Sequence, residues 1–412
     1  MPTRILATQI VKRLQEAGFI AYFAGGWVRD FLMQHPSDDI DIATNAPIAT
    51  IQKLFPKTIP VGITFGILIV VEEGHPFEVA TFRKDRHYID GRRPEGYDPA
   101  TPQEDALRRD FTINGMFYDP LTNQLYDYVD GQSDLKKGLI RAIGDPHARF
   151  GEDRLRMMRA VRYATRFNFQ IDPPTRSAIL AHAEDLLPAV AMERIWQEFK
   201  KMSHFAHFDQ GLVELHRLHL LPRIFSRLKG LSEEEIAKRV APLEHFPRGT
   251  PAIAELLQLF PDLSLDETLS LCEFLKVSKE ERVVAEDLHA AHALLHMPTS
   301  WLTALEPIEW ARFYAKKNSA LCLTIFAAQL PPSQKETWLS AHEERQSGLH
   351  QHIERIRTRQ PLIQAGDLLK AGLSPGPRIG QLLNEAEKLS VNENITDKNQ
   401  VLLRLGITGK AN

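Results

Sequence analysis

Cysteine is scarce in this chain: Cys272 and Cys322 are the only two in 412 residues. That scarcity excludes a disulfide framework and a cysteine-rich zinc site, and it suits buried thiols in a reducing, cytoplasmic setting. Long apolar runs are missing too. None approaches the ~20 residues of a membrane span, and no charged-then-apolar leader opens the chain, so neither a span nor secretion is expected. A basic excess is also lacking, with 50 Lys+Arg against 53 Asp+Glu and a net charge of −3. Global charge therefore advertises no nucleic-acid partner, and local distribution has to decide. What remains is ordinary for a chain with more than one core: 43% hydrophobic and 25% charged residues.

The informative feature is the aspartate pair of Asp39-Ile40-Asp41, just downstream of Gly25-Gly26-Trp27-Val28-Arg29-Asp30. On a strand, residues i and i+2 share a face, so both carboxylates can reach the same ions while Ile40 turns to the core. Two carboxylates aimed at one spot repel unless a cation sits there. Hard oxygen ligands suit Mg²⁺, and metals ~4 Å apart can activate a hydroxyl and stabilise a leaving oxygen in one displacement. A side chain-free Gly25-Gly26 turn lets backbone N–H groups close on phosphate oxygens, with Arg29 beside them. The order is strand (Ile20 to Ala24), glycine turn, short helix (Val28 to Leu32), Pro36-Ser37-Asp38 loop, then a strand over Asp39 to Thr44.

Further along, Phe77-Glu78-Val79-Ala80-Thr81-Phe82 carries one acid in an apolar segment, either near a cation or on a surface edge strand. Residues 84–102 are too rich in Gly, Pro and charge for a regular element. Arg108-Arg109-Asp110-Phe111-Thr112-Ile113-Asn114 offers Arg109 for triphosphate charge, and Asp110 and Asn114 for ribose hydroxyls. From Glu152 to Phe167 the pattern is one helix, with Leu155, Met158 and Val161 on a packing stripe and Arg156, Arg159, Arg162 and Arg166 beside it. Asp153 and Arg156, at i and i+3, are expected to pair, which would set an acceptor beside donors, the complement of a C or A base edge. Other basic clusters are Arg83-Lys84-Asp85-Arg86, Arg92-Arg93, Lys136-Lys137 and Lys200-Lys201, and each alone reads as solvated surface. His289, His292 and His296 share a helix face without acidic or Cys company, as do His204 and His207, and neither set reads as a metal site.

These blocks resemble the bacterial class II tRNA nucleotidyltransferase and poly(A) polymerase family. The resemblance rests on Gly-Gly-x-Val-Arg-Asp at 25–30, Asp-x-Asp-Ile-Ala-Thr at 39–44, and blocks at 77–83, 108–116, 130–135, 151–156 and Glu193-Arg194, roughly the first half of the chain. Gly115 stands where the family commonly has Ala. The resemblance implies that Asp39 and Asp41 are metal ligands and Glu78 a third acid of that site. It also implies that Asp153 and Arg156 act as a protein template for CTP and ATP, with Glu193-Arg194 bracing their helix. A flexible loop near 84–106 is needed in the family for the final A. The absence of any His-Asp dipeptide removes the phosphohydrolase domain fused to some members. Near the end, residues 366–383 look like the family's tail, with Lys370 and Arg378 available for RNA phosphates.

The expected fold is therefore α+β: a small mixed-sheet, polymerase-β-like head (1–145), then an elongated all-helical neck (146–203), body (204–335) and tail (336–412). The expected activity is Mg²⁺-dependent, template-independent addition of C and A to the 3′ end of tRNA. Poly(A) synthesis and A-only addition are the alternatives within the class, and no long basic extension favours the former. A non-catalytic RNA-binding relative would be suggested by loss of Asp39 or Asp41, and both are present.

Overall fold

A computed structural model describes residues 3–35, 37–86, 96–295 and 305–407. Pro36, Arg92-Arg93 and His296 lie outside the described residues. The chain forms two compact units, residues 1–238 and 239–412.

The first unit opens with the Thr3–Glu16 helix, whose Leu6, Ile10, Val11 and Leu14 recur at helical spacing and are buried. Nine strands follow: β1 (Ala21–Ala24), β2 (Asp41–Thr44), β3 (Thr58–Gly62), β4 (Ile67–Glu72), β5 (His75–Thr81), β6 (Arg83–Asp85), β7 (Tyr97–Pro99), β8 (Phe117–Asp119) and β9 (Gln124–Tyr126). Seven of them make one mixed sheet in the order β3-β4-β5-β2-β1-β8-β9. Only β2 and β5 run parallel in it. Strand alternation splits its two faces. Phe23, Ile40, Ile42, Leu68, Val70, Phe77 and Val79 face back and share a core with the first helix. The small Ala24 and Ala43 face front, with Phe82 and Phe117.

Register aligns the front face into rows. Ile59 pairs with Ile69 and Ile69 with Glu78. Ile42 pairs with Val79, so the preceding residues Asp41 and Glu78 are neighbours, and Asp41 in turn faces Ala24. A second row runs Ile67, Ala80, Ala43, Tyr22. Glu78 thus lies on an interior strand, which removes the edge-strand reading.

Two further expectations are corrected. The segment judged too irregular for secondary structure contributes β6 and β7, an antiparallel ribbon in which Arg86 binds Asp98 at 2.5 Å beside the paired residues. The helix expected from Glu152 to Phe167 is two helices, Pro146–Glu152 and Leu155–Phe167. Asp153 between them is extended (φ −147, ψ 107), and its carboxylate accepts the Leu155 N–H at 3.0 Å, starting the second helix afresh. The Met192–Ser203 and Phe208–Arg217 helices follow in this unit. A short parallel pair, Leu139–Ile140 with Gln170–Ile171, is the last sheet-like element.

The second unit is helical throughout its described residues. Its helices include Leu265–Leu275, Lys279–Leu295 and His350–Thr358. Cys272 and Cys322 are free, buried thiols. No helix among the described residues is long and apolar enough to cross a membrane.

Candidate active site

The acid row becomes a site because three carboxylates meet on the front face of the sheet. The strand expected from Asp39 begins two residues later: Asp39 lies in the preceding loop and is exposed, Ile40 turns into the back core at 3% exposure, and Asp41 opens β2. Burial, then the charges of Glu78 and Asp39, push the Asp41 carboxyl up to about 7 against the pull of Arg109. Burial and Asp39 raise Glu78 as well. Carboxylates that lift each other's proton affinity are short of positive charge, and a divalent cation supplies it. Among the described residues no three His, Cys, Asp or Glu side chains form a ready metal cage. An open set of hard oxygens nonetheless suits an ion whose shell is completed by substrate phosphates.

Facing the acids is the glycine turn. Gly25 has φ +65, and a Cβ there would stand 3.0 Å from Arg109 Nη1 and 4.0 Å from Asp41 Oδ2. The left-handed φ and the tight approach of the arginine both favour glycine there, while the aspartate stands at ordinary contact distance. Gly26 begins the Gly26–Leu32 helix. Arg29 is 2% exposed, pairs with Asp30 at 2.8 Å, donates to Asn114 Oδ1, and lies over Phe167 at 4.8 Å. Its guanidinium therefore braces the turn from beneath. Asp30 also receives Arg166 at 2.9 Å.

The opposite wall is basic and held by acids. The Pro102–Leu107 helix starts with a Thr101/Glu104 capping box and places the 1% exposed Asp105 three and four residues before Arg108 and Arg109, which it binds at 2.7 and 2.9 Å. Asp110 binds Arg159 at 2.5 Å, and its Oδ1 accepts from Asn114 Nδ2 at 3.0 Å. Burial alone would raise the Asp110 carboxyl, but the Arg159 charge and the Asn114 hydrogen bond hold it well below the usual range. Arg162 binds Glu198 at 2.5 Å and lies 4.2 Å from the centre of the Tyr163 ring.

The pairing expected between Asp153 and Arg156 is replaced by two separate ones. Arg194 donates to Asp153 at 2.8 Å, while Arg156 binds Glu152 at 2.5 Å and the carbonyl of Arg149 at 3.1 Å. The helix break is the reason, since it takes Asp153 out of the i, i+3 relation. All thirteen head and neck residues singled out from the sequence, from Gly25 to Arg162, line one open cleft of about 760 Å³. Lys370 and Arg378 lie elsewhere, exposed at the end of the Ala365–Lys370 helix and the start of Pro377–Asn392 in the second unit. His289 is half-buried and His292 exposed.

Sequence reading missed the acids that position the arginines: Asp30, Asp105, Glu152 and Glu198. Asp105 had a usable signal in its i+3 and i+4 arginines. The pairing of Arg162 with Glu198, 36 residues apart, had none.

Residues 21–141 match the Poly A polymerase head domain, 168–231 the probable RNA and SrmB-binding site of polymerase A, and 244–405 a putative tRNA nucleotidyltransferase domain 2. Fold and site thus define a nucleotidyltransferase, a class whose chemistry implies a divalent metal. The chain is 33% identical to the CCA-adding enzyme of Pediococcus pentosaceus over 403 residues, 96% of each chain. It is likewise 33% identical to that of Limosilactobacillus fermentum over 404 residues, 97% of this chain and 95% of the relative. The Bacillus stearothermophilus CCA-adding enzyme, solved in complex with CTP, superposes with a TM-score of 0.70 at 26% identity, covering 98% of each chain. The chain belongs to the CCA-adding enzyme family of tRNA nucleotidyltransferases.

Proposed function

We propose that this chain adds C and A to the 3′ end of tRNA, drawing on CTP and ATP within the single cleft of its first unit. One observation carries the residue assignment: Asp41 and Glu78, adjacent by strand register and joined by Asp39, face the Gly25 turn across from a wall of anchored arginines. Asp39 and Asp41, with Glu78, would hold Mg²⁺, which when bound supplies Lewis-acid stabilisation of charge on the phosphoryl oxygens. The Gly25-Gly26 backbone admits the triphosphate closely, and Arg109, Arg159 and Arg162 balance its charge, with Arg29 stiffening the turn. Asp110 and Asn114 address the ribose hydroxyls.

Asp153 accepts from the amino group of C or A, and Arg156 donates to the neighbouring ring acceptor. Because Asp153 hangs on Arg194, and Arg156 on Glu152 and the carbonyls of Arg149 and Arg108, the two can adjust separately between a pyrimidine and a purine while still mismatching U and G. The RNA 3′-hydroxyl oxygen bonds to the α-phosphorus as the bond to pyrophosphate breaks, the pyrophosphate leaving with the electron pair and the hydroxyl proton passing to solvent. The remaining division we assign as head 1–145, neck 146–203, body 204–335 and tail 336–412. The separate core of Ile363, Leu368, Ala386 and Val401 supports the tail, and Lys370 and Arg378 would meet RNA phosphates there.

The test is incubation with Mg²⁺ and tRNAs ending before, within and after CCA, each with labelled CTP or ATP. Sequential C, C and A incorporation is the expected result. ATP use alone on CC-ended tRNA would mean A-only addition, unlimited ATP use a poly(A) polymerase, and no incorporation would defeat the reading.

A further inference from the structure

The front face of the sheet is chemically different on the two sides of the acid row. Toward β1 and β8 stand the glycine turn and anchored arginines, the flank able to balance a triphosphate. Toward β4 and β3 the same face turns aliphatic. Ile69 stands beside Glu78 and Ile59 beside Ile69 by register, and Ile67 lines the cleft next to Ala80. Ile59, Val61 and Ile63 are 46%, 64% and 43% exposed. The core does not require them, since Leu68 and Val70 of the same hairpin, both 0% exposed, pack the back face. Ile59 extends the Glu78–Ile69 row outward, with the exposed Val61 and Ile63 following it along the chain, and a run of exposed β-branched residues marks a surface meant to be covered. Of the cleft's arginines, Arg83 stands on this flank, and it is committed to Asp85 at 3.1 Å and to the Phe65 carbonyl.

In-line displacement at the α-phosphorus requires the attacking hydroxyl to arrive opposite the leaving pyrophosphate. With pyrophosphate on the arginine flank, the nucleoside bearing the attacking hydroxyl comes over β4 and β5. Resting on the activity proposed above, we propose that Ile59, Ile67 and Ile69 form the seat for the sugar and base of the RNA's 3′-terminal nucleotide. An aliphatic seat reads no base edge. That suits a terminus whose identity changes with every addition, while Asp153 and Arg156 do the reading for the incoming nucleotide.

The test is a cycle between protein and RNA. The double variant Ile67→Ser/Ile69→Ser is compared with wild type on RNA ending in CC and on the same RNA carrying an abasic 3′-terminal ribose that keeps its hydroxyl. Removing the base should raise the KM for RNA roughly tenfold in wild type, the size expected for uncovering about 60 Å² of apolar surface. The serines should do the same on normal RNA and leave the KM for CTP unchanged. Together the two changes should cost no more than either alone, and Ile67→Leu/Ile69→Leu should restore the wild-type values. Ile59→Ser, at an exposed position, carries the same cycle if the inner pair unfolds the protein. Additive losses, or equal rises in KM for RNA and CTP, overturn the seat. So does a variant that changes only the protein's self-association, which would make the patch a contact between copies. A wild-type protein that incorporates nothing fails the earlier reading instead.

Discussion

Asp41 carries an electrostatic load that its neighbours create. Burial and the charges of Glu78 and Asp39 hold its carboxyl near 7, so removing its charge relieves repulsion even as it removes a metal ligand. Asp41→Asn should lower nucleotide incorporation on the order of a thousandfold. In a metal chelator the same variant should melt at or above the wild-type temperature, and both are read by a labelled-nucleotide assay and a thermal melt. A clearly lower melting temperature would count against the repulsive acid row. Gly25 is constrained twice, by φ +65 and by the 3.0 Å approach of Arg109. Gly25→Ala should cost about 1–2 kcal/mol of stability in denaturant titration and raise the KM for CTP. At Asp153 the deciding neighbour is Arg194, which binds its carboxylate at 2.8 Å and lines the same cleft. Arg194→Ala should weaken discrimination against UTP and GTP more than it changes the KM for tRNA, as competition between labelled nucleotides would reveal. Unchanged selectivity would separate Asp153 from base choice.

At the scale of elements, the short Ala252–Leu256 helix carries the 7% exposed Glu255, whose Oε2 has no hydrogen-bond partner among the described residues. Burial pushes its carboxyl up to about 8 from an ordinary 4.5. A carboxyl whose affinity for its proton is raised on folding favours the fold below pH 4.5, and this contribution erodes as pH rises through 8. Glu255→Gln should therefore raise the melting temperature at pH 8 and leave it unchanged at pH 4, with a gain of about 1–3 kcal/mol. An equal effect at both pH values would show that the carboxyl is solvated. Elements also explain where sequence reading succeeded. The Leu155–Phe167 helix follows from periodicity because Leu155, Met158 and Val161 pack one buried stripe. The break at Asp153 was invisible to periodicity, because Leu155, Met158 and Val161 keep the same rhythm whether the helix starts at 152 or 155.

At the scale of the whole molecule, the two units divide the residue set. All thirteen assigned head and neck residues lie in the first unit, and Lys370 and Arg378 in the second. If the latter pair neutralises RNA phosphates, Lys370→Ala and Arg378→Ala should each reduce the slope of log affinity against log salt by about one, with catalytic turnover unchanged. An unaltered slope would place the RNA elsewhere. By itself the sequence determined that a strand follows the Asp39-Ile40-Asp41 run, that Gly25 precedes a helix and that arginines line the helix from Leu155, because spacing along one chain dictates side-chain direction within one element. Only the tertiary structure decided that Asp41 stands beside Glu78, that Arg162 rests on Glu198, that Asp153 answers to Arg194 and that isoleucines flank the acids. Strand order, register and helix packing join residues tens of positions apart, and local periodicity carries no term for such contacts.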